Sequence, residues 1–418
     1  MAEGKARGRD RFDVAIAGGG FAGRTLALAF AKLAPDGFRI ALIDAEPAKT
    51  EDSGAEDPRA LALSAATKNL LSALDLWQEL APSAQAIEAI EITDSPLNAG
   101  LRPHFLGFDA ELKGDGANAH MVEHGALARV LGGAVARTPA IEMFAPETVV
   151  DYAAAAFKVV ARLGSGEAIE ARLLVAADGK RSRLRERAGI KCVGWSYPQI
   201  GIVTTVAHAR PHHGKAVQHF LPSGPFAILP LKGNRSSIVW TEDKARGEAI
   251  MAADEAGFLA ELTKRFGLRL GEIALAGPRQ SFPLDMQIAR SFVADRLALI
   301  GDAAHVVHPL AGQGLNIGMR DVAALAETVV EATRLGLDIG AGAQLERYER
   351  WRRFDSAFSA AVMDGLNRLF SNDNAPLRTL RDLGLGLVDR APALKRFVVS
   401  EAAGATGTLP RLLKGETI

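Results

Sequence analysis

The sequence predicts an α/β protein of about two to three domains, and three observations carry that prediction. A short apolar run, residues 12–17, passes straight into a glycine turn and then an apolar helical pattern. Two later apolar runs, 173–177 and 297–300, also end in turns that open on an aspartate, Asp178 and Asp302. Between those two, residues 194–284 change character, to short β-branched and aromatic runs separated by Pro, Gly and His. Composition agrees with a globular chain: 48% of the 418 residues are hydrophobic and 23% charged, which excludes wholesale disorder. The 49 basic residues balance 49 acidic ones, so there is no electrostatic footprint for nucleic acid. A single cysteine, Cys192, excludes an intrachain disulfide and any multi-cysteine metal or iron–sulfur centre. The charged start lacks the apolar core of a signal peptide, and no uncharged apolar run reaches about 18 residues. The expectation is a cytoplasmic protein.

In chain order, residues 12–17 read as a strand, GGGFAG as its turn and RTLALAFAKLA as the helix that follows. Residues 38–43 read as a second buried strand ending at Asp44. A helical pattern follows Ser64 and runs to about Leu80. Residues 156–163 and 167–176 flank Gly164-Ser165-Gly166 as a hairpin. The 194–284 stretch predicts a separate, mainly antiparallel sheet interrupted by one helix at about 254–266. A long charged helix at about 343–371 and further helical stretches close the chain. The run Arg347–Arg353 reads as a solvated helix face.

Three motifs carry chemistry. Gly18-Gly19-Gly20-Phe21-Ala22-Gly23 is a GxGxxG between strand and helix. Its first glycine permits the tight turn, its second lets backbone approach a pyrophosphate, and its third lets helix and strand pack closely. The helix N-terminus then offers free N–H groups to phosphate. Asp44 stands a little past the usual spacing of about 20 residues for a ribose-binding acid. The second motif places Asp178 at a strand end, facing a ligand crevice. The third, LALIGDAAHVVHPLAGQGLNIGMRD (297–321), runs from a buried strand through Gly301-Asp302 to a glycine-rich loop and a helix. Asp302 suits a polyol, and the glycines leave room for a flat ring against backbone.

These motifs, in this order, resemble those of class A FAD-dependent aromatic hydroxylases (monooxygenases). HPLAGQGLNIGMRDVAAL (308–325) and DGLNRLFSNDNAPLRTLRDLGLGLVDR (364–390) narrow the resemblance to the ubiquinone-biosynthesis hydroxylase subfamily, over roughly residues 12–415. The resemblance implies a Rossmann-like FAD-binding domain in three pieces, 12–74, 118–193 and 285–342. It also implies an inserted β-sheet substrate domain, 75–117 and 194–284, and a C-terminal helical region, 343–418. It implies that Gly18, Gly20 and Gly23 hold the FAD pyrophosphate and Asp44 the adenosine ribose. Arg59 would lie near FAD or the incoming nicotinamide, and Asp178 would serve both. Asp302 would contact the ribityl chain, with Pro309, Gly312, Gln313, Gly314 and Asn316 against the isoalloxazine. The implied reaction hydroxylates a polyprenylated phenol with molecular oxygen, via a flavin hydroperoxide. NAD(P)H or a protein electron donor would be the reductant.

Two other readings stay open: a class A hydroxylase of a small soluble aromatic, and a flavin-binding assembly subunit without turnover. No catalytic side chain is required. His305 and His308 are candidates for proton handling, because they stand in the flavin loop and histidine titrates near neutrality. His208, His212 and His213 mark a hairpin end rather than a metal site. No second GxGxxG exists, so a nicotinamide would bind transiently. Residues 376–418 mix seven Lys/Arg and four acids with apolar runs. That tail is expected to meet a membrane or a biosynthetic complex at the inner face of the membrane, or else to cap the domain.

Overall fold

The computed structural model describes residues 11–47, 57–94, 106–109, 119–307, 313–370 and 409–418. The first sheet has the order Val293–Ala294, Leu297–Leu299, Ala168–Ala176, Arg11–Ala17, Ile40–Ile43, Ile141–Phe144. All neighbouring pairs from Leu297–Leu299 onward are parallel. Strands such as Ile40–Ile43 are buried at every position, as a parallel sheet covered on both faces requires. Its core includes Val14, Ile16, Leu42 and Val175, with Leu26 and Phe30 of the helix Phe21–Leu33 and Met319, Val322 and Val329 of the helix Gln313–Arg334. The helix Phe21–Leu33 stops two residues before Pro35, because proline disfavours helical geometry in the residue before it and Ala34 is extended. The hairpin Val149–Ala155 and Lys158–Leu163 joins antiparallel through Ala168–Ala176.

The second sheet has nine strands, eight of them in the order His305–Val306, Gln280–Ala289, Cys192–His208, Arg235–Asp243, Gly224–Leu231, Lys215–Leu221, Ala89–Asp94, Leu106–Asp109. The ninth, Ile273–Leu275, pairs with Cys192–His208. The sheet is antiparallel except where Lys215–Leu221 meets Ala89–Asp94. It begins and ends in longer strands than the 194–284 pattern suggests, from Cys192 to Ala289. Pro198 obscures the first of these. Proline has no N–H for the ladder, and the register shifts between Ser196 and Ile200.

One face of this sheet packs on the helix Glu255–Phe266, through Ile202, Val217, Ile228, Phe258 and Phe266. The other face meets a three-stranded sheet, Ala60–Ser64, Ala119–Glu123 and Gln85–Ile87, through Ala216 and Leu231 on Met121 and Ile87. Leu63 and Val122 of that small sheet belong to the first core, so it bonds the two halves together.

Two local expectations change. The helical pattern after Ser64 is two helices, Ala65–Ala73 and Trp77–Leu80, broken where Asp75 adopts φ +60°. The Ser64 hydroxyl caps the first by accepting from Thr67 N–H at 3.2 Å. A further helix, Lys244–Ala252, precedes Glu255–Phe266; its weak amphipathic pattern hides it in sequence. Among the described residues no helix is long and apolar enough to cross a membrane.

Candidate flavin site at the carboxyl edge of the parallel sheet

The three motif turns lie side by side. Strands 11–17, 168–176 and 297–299 end level: Ala17 pairs with Ala176, Ala177 N–H donates to Ala17 O at 2.7 Å, and Ile300 N–H donates to Ala176 O at 3.0 Å. Gly18, Asp178 and Gly301-Asp302 therefore leave the same sheet edge, where ligands of open α/β sheets bind.

The glycines differ in what a side chain would meet. Gly18 has φ +116°, and a Cβ there would collide with the carbonyl of Ala177. A Cβ on Gly23 would collide with the carbonyl of Gly18, so the helix could not approach its strand. Gly20 differs: a Cβ there meets nothing within 4 Å. Gly20 is the N-cap of Phe21–Leu33 and has no side chain to offer, so the first N–H groups of the helix lack a side-chain cap. Asp44 stands beside this opening, 3.5 Å from Arg24 Nη2. Two buried polar atoms around the edge, Arg24 Nε and Asp178 Oδ1, have no protein partner. An open helix N-terminus, a carboxylate beside it and orphaned polar atoms suit a dinucleotide.

Asp302 reaches solvent from the short 3-10 turn Gly301–Ala303. Protein crowded around its carboxyl strips hydration and raises its pKa, while the positive potential of His305 and Lys180 opposes the rise. Arg59 pairs with Asp57 at 2.6 Å, a bond that raises the Arg59 pKa. Arg59 Nη2 also lies 3.1 Å from His124 Nε2, and the His124 ring packs on Phe21 with centroids 4.7 Å apart. Arg59 thus stands one ring away from the helix start.

The residues of the third motif's loop and following helix fall in different places. His308, Pro309 and Gly312 lie outside the described residues. Gln313 begins the helix Gln313–Arg334, and Gly314 follows in its first turn, with nothing within 4 Å of an added Cβ. Asn316 is buried and turned toward residues 62–67. It accepts from Ser64 N–H at 2.9 Å and Thr67 O–H at 2.8 Å, and its amide donates to Ala62 O at 2.8 Å. Its side chain clamps the helix to the neighbouring strand. His305, 2% exposed, spends Nε2 on Asp321 Oδ2 at 2.6 Å, which fits anchoring rather than proton handling at substrate.

Sequence reading missed the groups that hold the turns. Asp321 is fully buried and accepts from Gly301 N–H at 2.9 Å, from His305, and from Arg352 Nε at 2.8 Å. Burial alone would raise its pKa, but His305 and Arg352 more than offset this and hold it below the ordinary carboxylate range. Arg352 is itself 2% exposed, and Tyr348 is buried with its hydroxyl donating to Leu299 O at 2.7 Å. The run 347–353 is therefore not a uniformly solvated face. Arg185 ties the second motif to the third: Nη1 donates to Ala303 O at 2.9 Å and Nη2 to Lys180 O at 3.0 Å.

The second sheet reaches this edge through His305–Val306, which pairs with Gln287 and Ile288. Met286, Val307 and Ile317 form a small apolar cluster there, with Tyr197 packed on it. A cavity of about 1060 Å³ opens elsewhere, beside Val217, Ile228 and Phe266, on the sheet face turned away from the motifs. At the hairpin end, His208 bonds Arg210 O and Ser236 Oγ, and His212 bonds Leu231 O. Of the charged tail, residues 376–408 lie outside the described residues. Residues 409–418 cap the first domain: Leu412 and Leu413 are buried, Asn69 donates to Leu413 O at 3.1 Å, and Arg411 pairs with Glu331 at 2.8 Å.

Comparison with known proteins gives a consistent picture. The chain is 44% identical to ubiquinone hydroxylase UbiL of Rhodospirillum rubrum over 406 residues, covering 96% of this chain and 92% of that one. It is 35% identical to 3-demethoxyubiquinol 3-hydroxylase of Escherichia coli over 395 residues, 94% of this chain and 98% of that one. The fold matches p-nitrophenol 4-monooxygenase PnpA of Pseudomonas putida with TM-score 0.76 at 20% identity, covering 96% of this chain and all of that one. Residues 11–359, which include every turn described above, match the FAD binding domain family, and the chain belongs to it.

Proposed function

We propose that this protein hydroxylates the aromatic ring of a polyprenylated phenol in ubiquinone biosynthesis, with FAD as cofactor and molecular oxygen as oxygen source. The convergence of Gly18–Gly23, Asp178 and Asp302 at one sheet edge carries the reading. Near-full-length relatives named ubiquinone hydroxylase and 3-demethoxyubiquinol 3-hydroxylase support the substrate class. FAD, when bound and reduced, supplies the activation of dioxygen. The chain's own groups bind, orient and exclude water. Gly20 and the open helix N-terminus would take the pyrophosphate, Asp44 the adenosine ribose, and Asp302 the ribityl hydroxyls. Asp178 and Arg59 would face the cofactor or a transient NAD(P)H, with a protein electron donor as the other source of reducing equivalents. Met286, Val307, Ile317 and Tyr197 would supply the apolar wall against which an aromatic ring is desolvated. The isoprenoid tail of such a substrate lives in a bilayer, so peripheral contact with a membrane or a membrane-bound complex belongs to the same proposal.

The test is product analysis under labelled oxygen gas, with the flavin reduced chemically. One labelled atom is expected in the ring hydroxyl of a long-tailed phenol, and much less in a tail-less analogue. Equal labelling of both would favour a hydroxylase of small aromatics. Label in neither, with all reducing equivalents recovered as hydrogen peroxide, would leave a flavin-binding subunit without turnover. Asp302→Ala is expected to weaken FAD binding by about 10- to 100-fold, the worth of a hydrogen bond to a charged group. Fluorescence titration of the apoprotein measures it, and unchanged affinity would remove Asp302 from the site.

A further inference from the structure

The helix Gly342–Phe370 is inside-out between Arg350 and Gly365. Phe354 is 78% exposed, Phe358 43% and Val362 37%. Their spacing of four puts them on one face, and the rings of Phe354 and Phe358 stack with centroids 6.4 Å apart. Ala357, Ala361 and Gly365 are exposed beside them. The acids of this stretch point the other way. Glu349 accepts from Ser291 O–H at 2.7 Å and Phe292 N–H at 2.8 Å. Asp355 accepts from Arg320 at 2.8 Å and also bonds Arg352, and Asp364 accepts from Tyr197 O–H at 2.6 Å. Arg350 and Arg353 remain on the solvent side. From Arg350 to Gly365, about 24 Å of helix, the outward charges are thus cations only. Along the same helix, the exposed acid that precedes this stretch, Glu346, lies one turn before Arg350.

A water-facing helix carries its charges outward and its aromatics inward. This one buries Arg352 and exposes Phe354, an arrangement stable in water alone only at a cost, since contiguous apolar surface normally marks a docking site. We propose that the face Arg350–Gly365 docks on an anionic lipid bilayer, with Phe354, Phe358 and Val362 entering the headgroup–acyl boundary and Arg350 and Arg353 meeting lipid phosphates. The charge pattern selects this occupant: two outward cations and no outward acid suit a negative surface. The inference rests on the reading of the substrate as membrane-resident, and it names the face that would bring the enzyme to it.

The test is cosedimentation of the FAD-loaded full chain with phosphatidylcholine vesicles, with and without phosphatidylglycerol. Binding is expected only with the anionic lipid and should weaken with salt. Arg350→Gln with Arg353→Gln should cost about thirtyfold in affinity, at roughly fivefold per arginine near a charged surface. Phe354→Asp with Phe358→Asp, at exposed positions that folding tolerates, should lower it by at least about tenfold while flavin content and turnover of a soluble phenol stay unchanged. Wild-type protein that binds neither vesicle, or both equally, overturns the proposal. So does unchanged vesicle binding by the phenylalanine variant, or a shift from dimer to monomer in that variant without vesicle loss, which would assign the face to a second copy. Vesicle binding without turnover on any phenol would instead reject the hydroxylase reading and leave the docking face standing.

Discussion

Gly20→Val is expected to yield a folded protein without flavin. The backbone at Gly20 is ordinary for any residue, with φ −69° and ψ −176°, and an added Cβ meets no protein atom within 4 Å. The stability cost should therefore stay within the roughly 0.5–2 kcal/mol of an unfavourable helix N-cap. The branched side chain would instead occupy the space in front of the helix N-terminus, where a pyrophosphate must approach. Circular dichroism should match wild type while flavin absorbance falls close to zero. Gly23→Val should behave oppositely and damage folding, because its Cβ would collide with the Gly18 carbonyl. A yellow, folded Gly20→Val protein would move the cofactor away from the first turn.

The second large effect is expected at Asp321. Removing it by Asp321→Ala leaves Arg352 buried beside Asp355 alone and strips Gly301 N–H of its acceptor. Losing one partner of a buried ion pair typically costs roughly 3–5 kcal/mol. Urea unfolding of the apoprotein measures this, and a loss below about 1 kcal/mol would show that the network carries little. Asp321→Asn keeps the shape and an acceptor for Gly301 but removes the charge facing Arg352, so it should fall between wild type and alanine. The pH dependence has a definite sign. The folded pKa of Asp321 lies below the ordinary 3.8, so its contribution is complete above that value and is lost as pH falls through the folded one. The asparagine variant should lack that acid limb.

Local chemistry made part of this site legible from sequence. The Gly18–Gly23 turn, Asp178 and Asp302 each stand at the end of an apolar run, so position along the chain announces them. The groups that fix those turns could not be seen that way. Asp321 meets Gly301 across 20 residues, Arg352 meets Asp321 across 31, and Asn316 meets Ser64 across 252. Nothing in the intervening chain marks these as partners. Arg352 was misleading for a physical reason: in a run of arginines, charge pattern alone predicts solvent, and only the buried carboxylate on a neighbouring helix reverses it. Asn316 shows the same limit, since its place in a glycine-rich loop motif suggests a ligand contact while its amide bonds residues 62–67.

The strand order of the parallel sheet has a consequence for biosynthesis. The nucleotide cradle opens at residue 18, but its wall strand is 297–299, the carboxylate pinning its third turn is Asp321, and its capping residues end at Ile418. A nascent chain emerging from the ribosome therefore exposes the glycine turn long before the pieces that close it exist. Strands 11–17 and 40–43 can pair with each other early, but the outer edge of 11–17 waits for 168–176 and that of 40–43 for 141–144, a long-range pairing that slows folding and leaves apolar edges open to aggregation. Cofactor capture should therefore follow the synthesis of strand 297–299 and of Asp321, long after the glycine turn has left the ribosome.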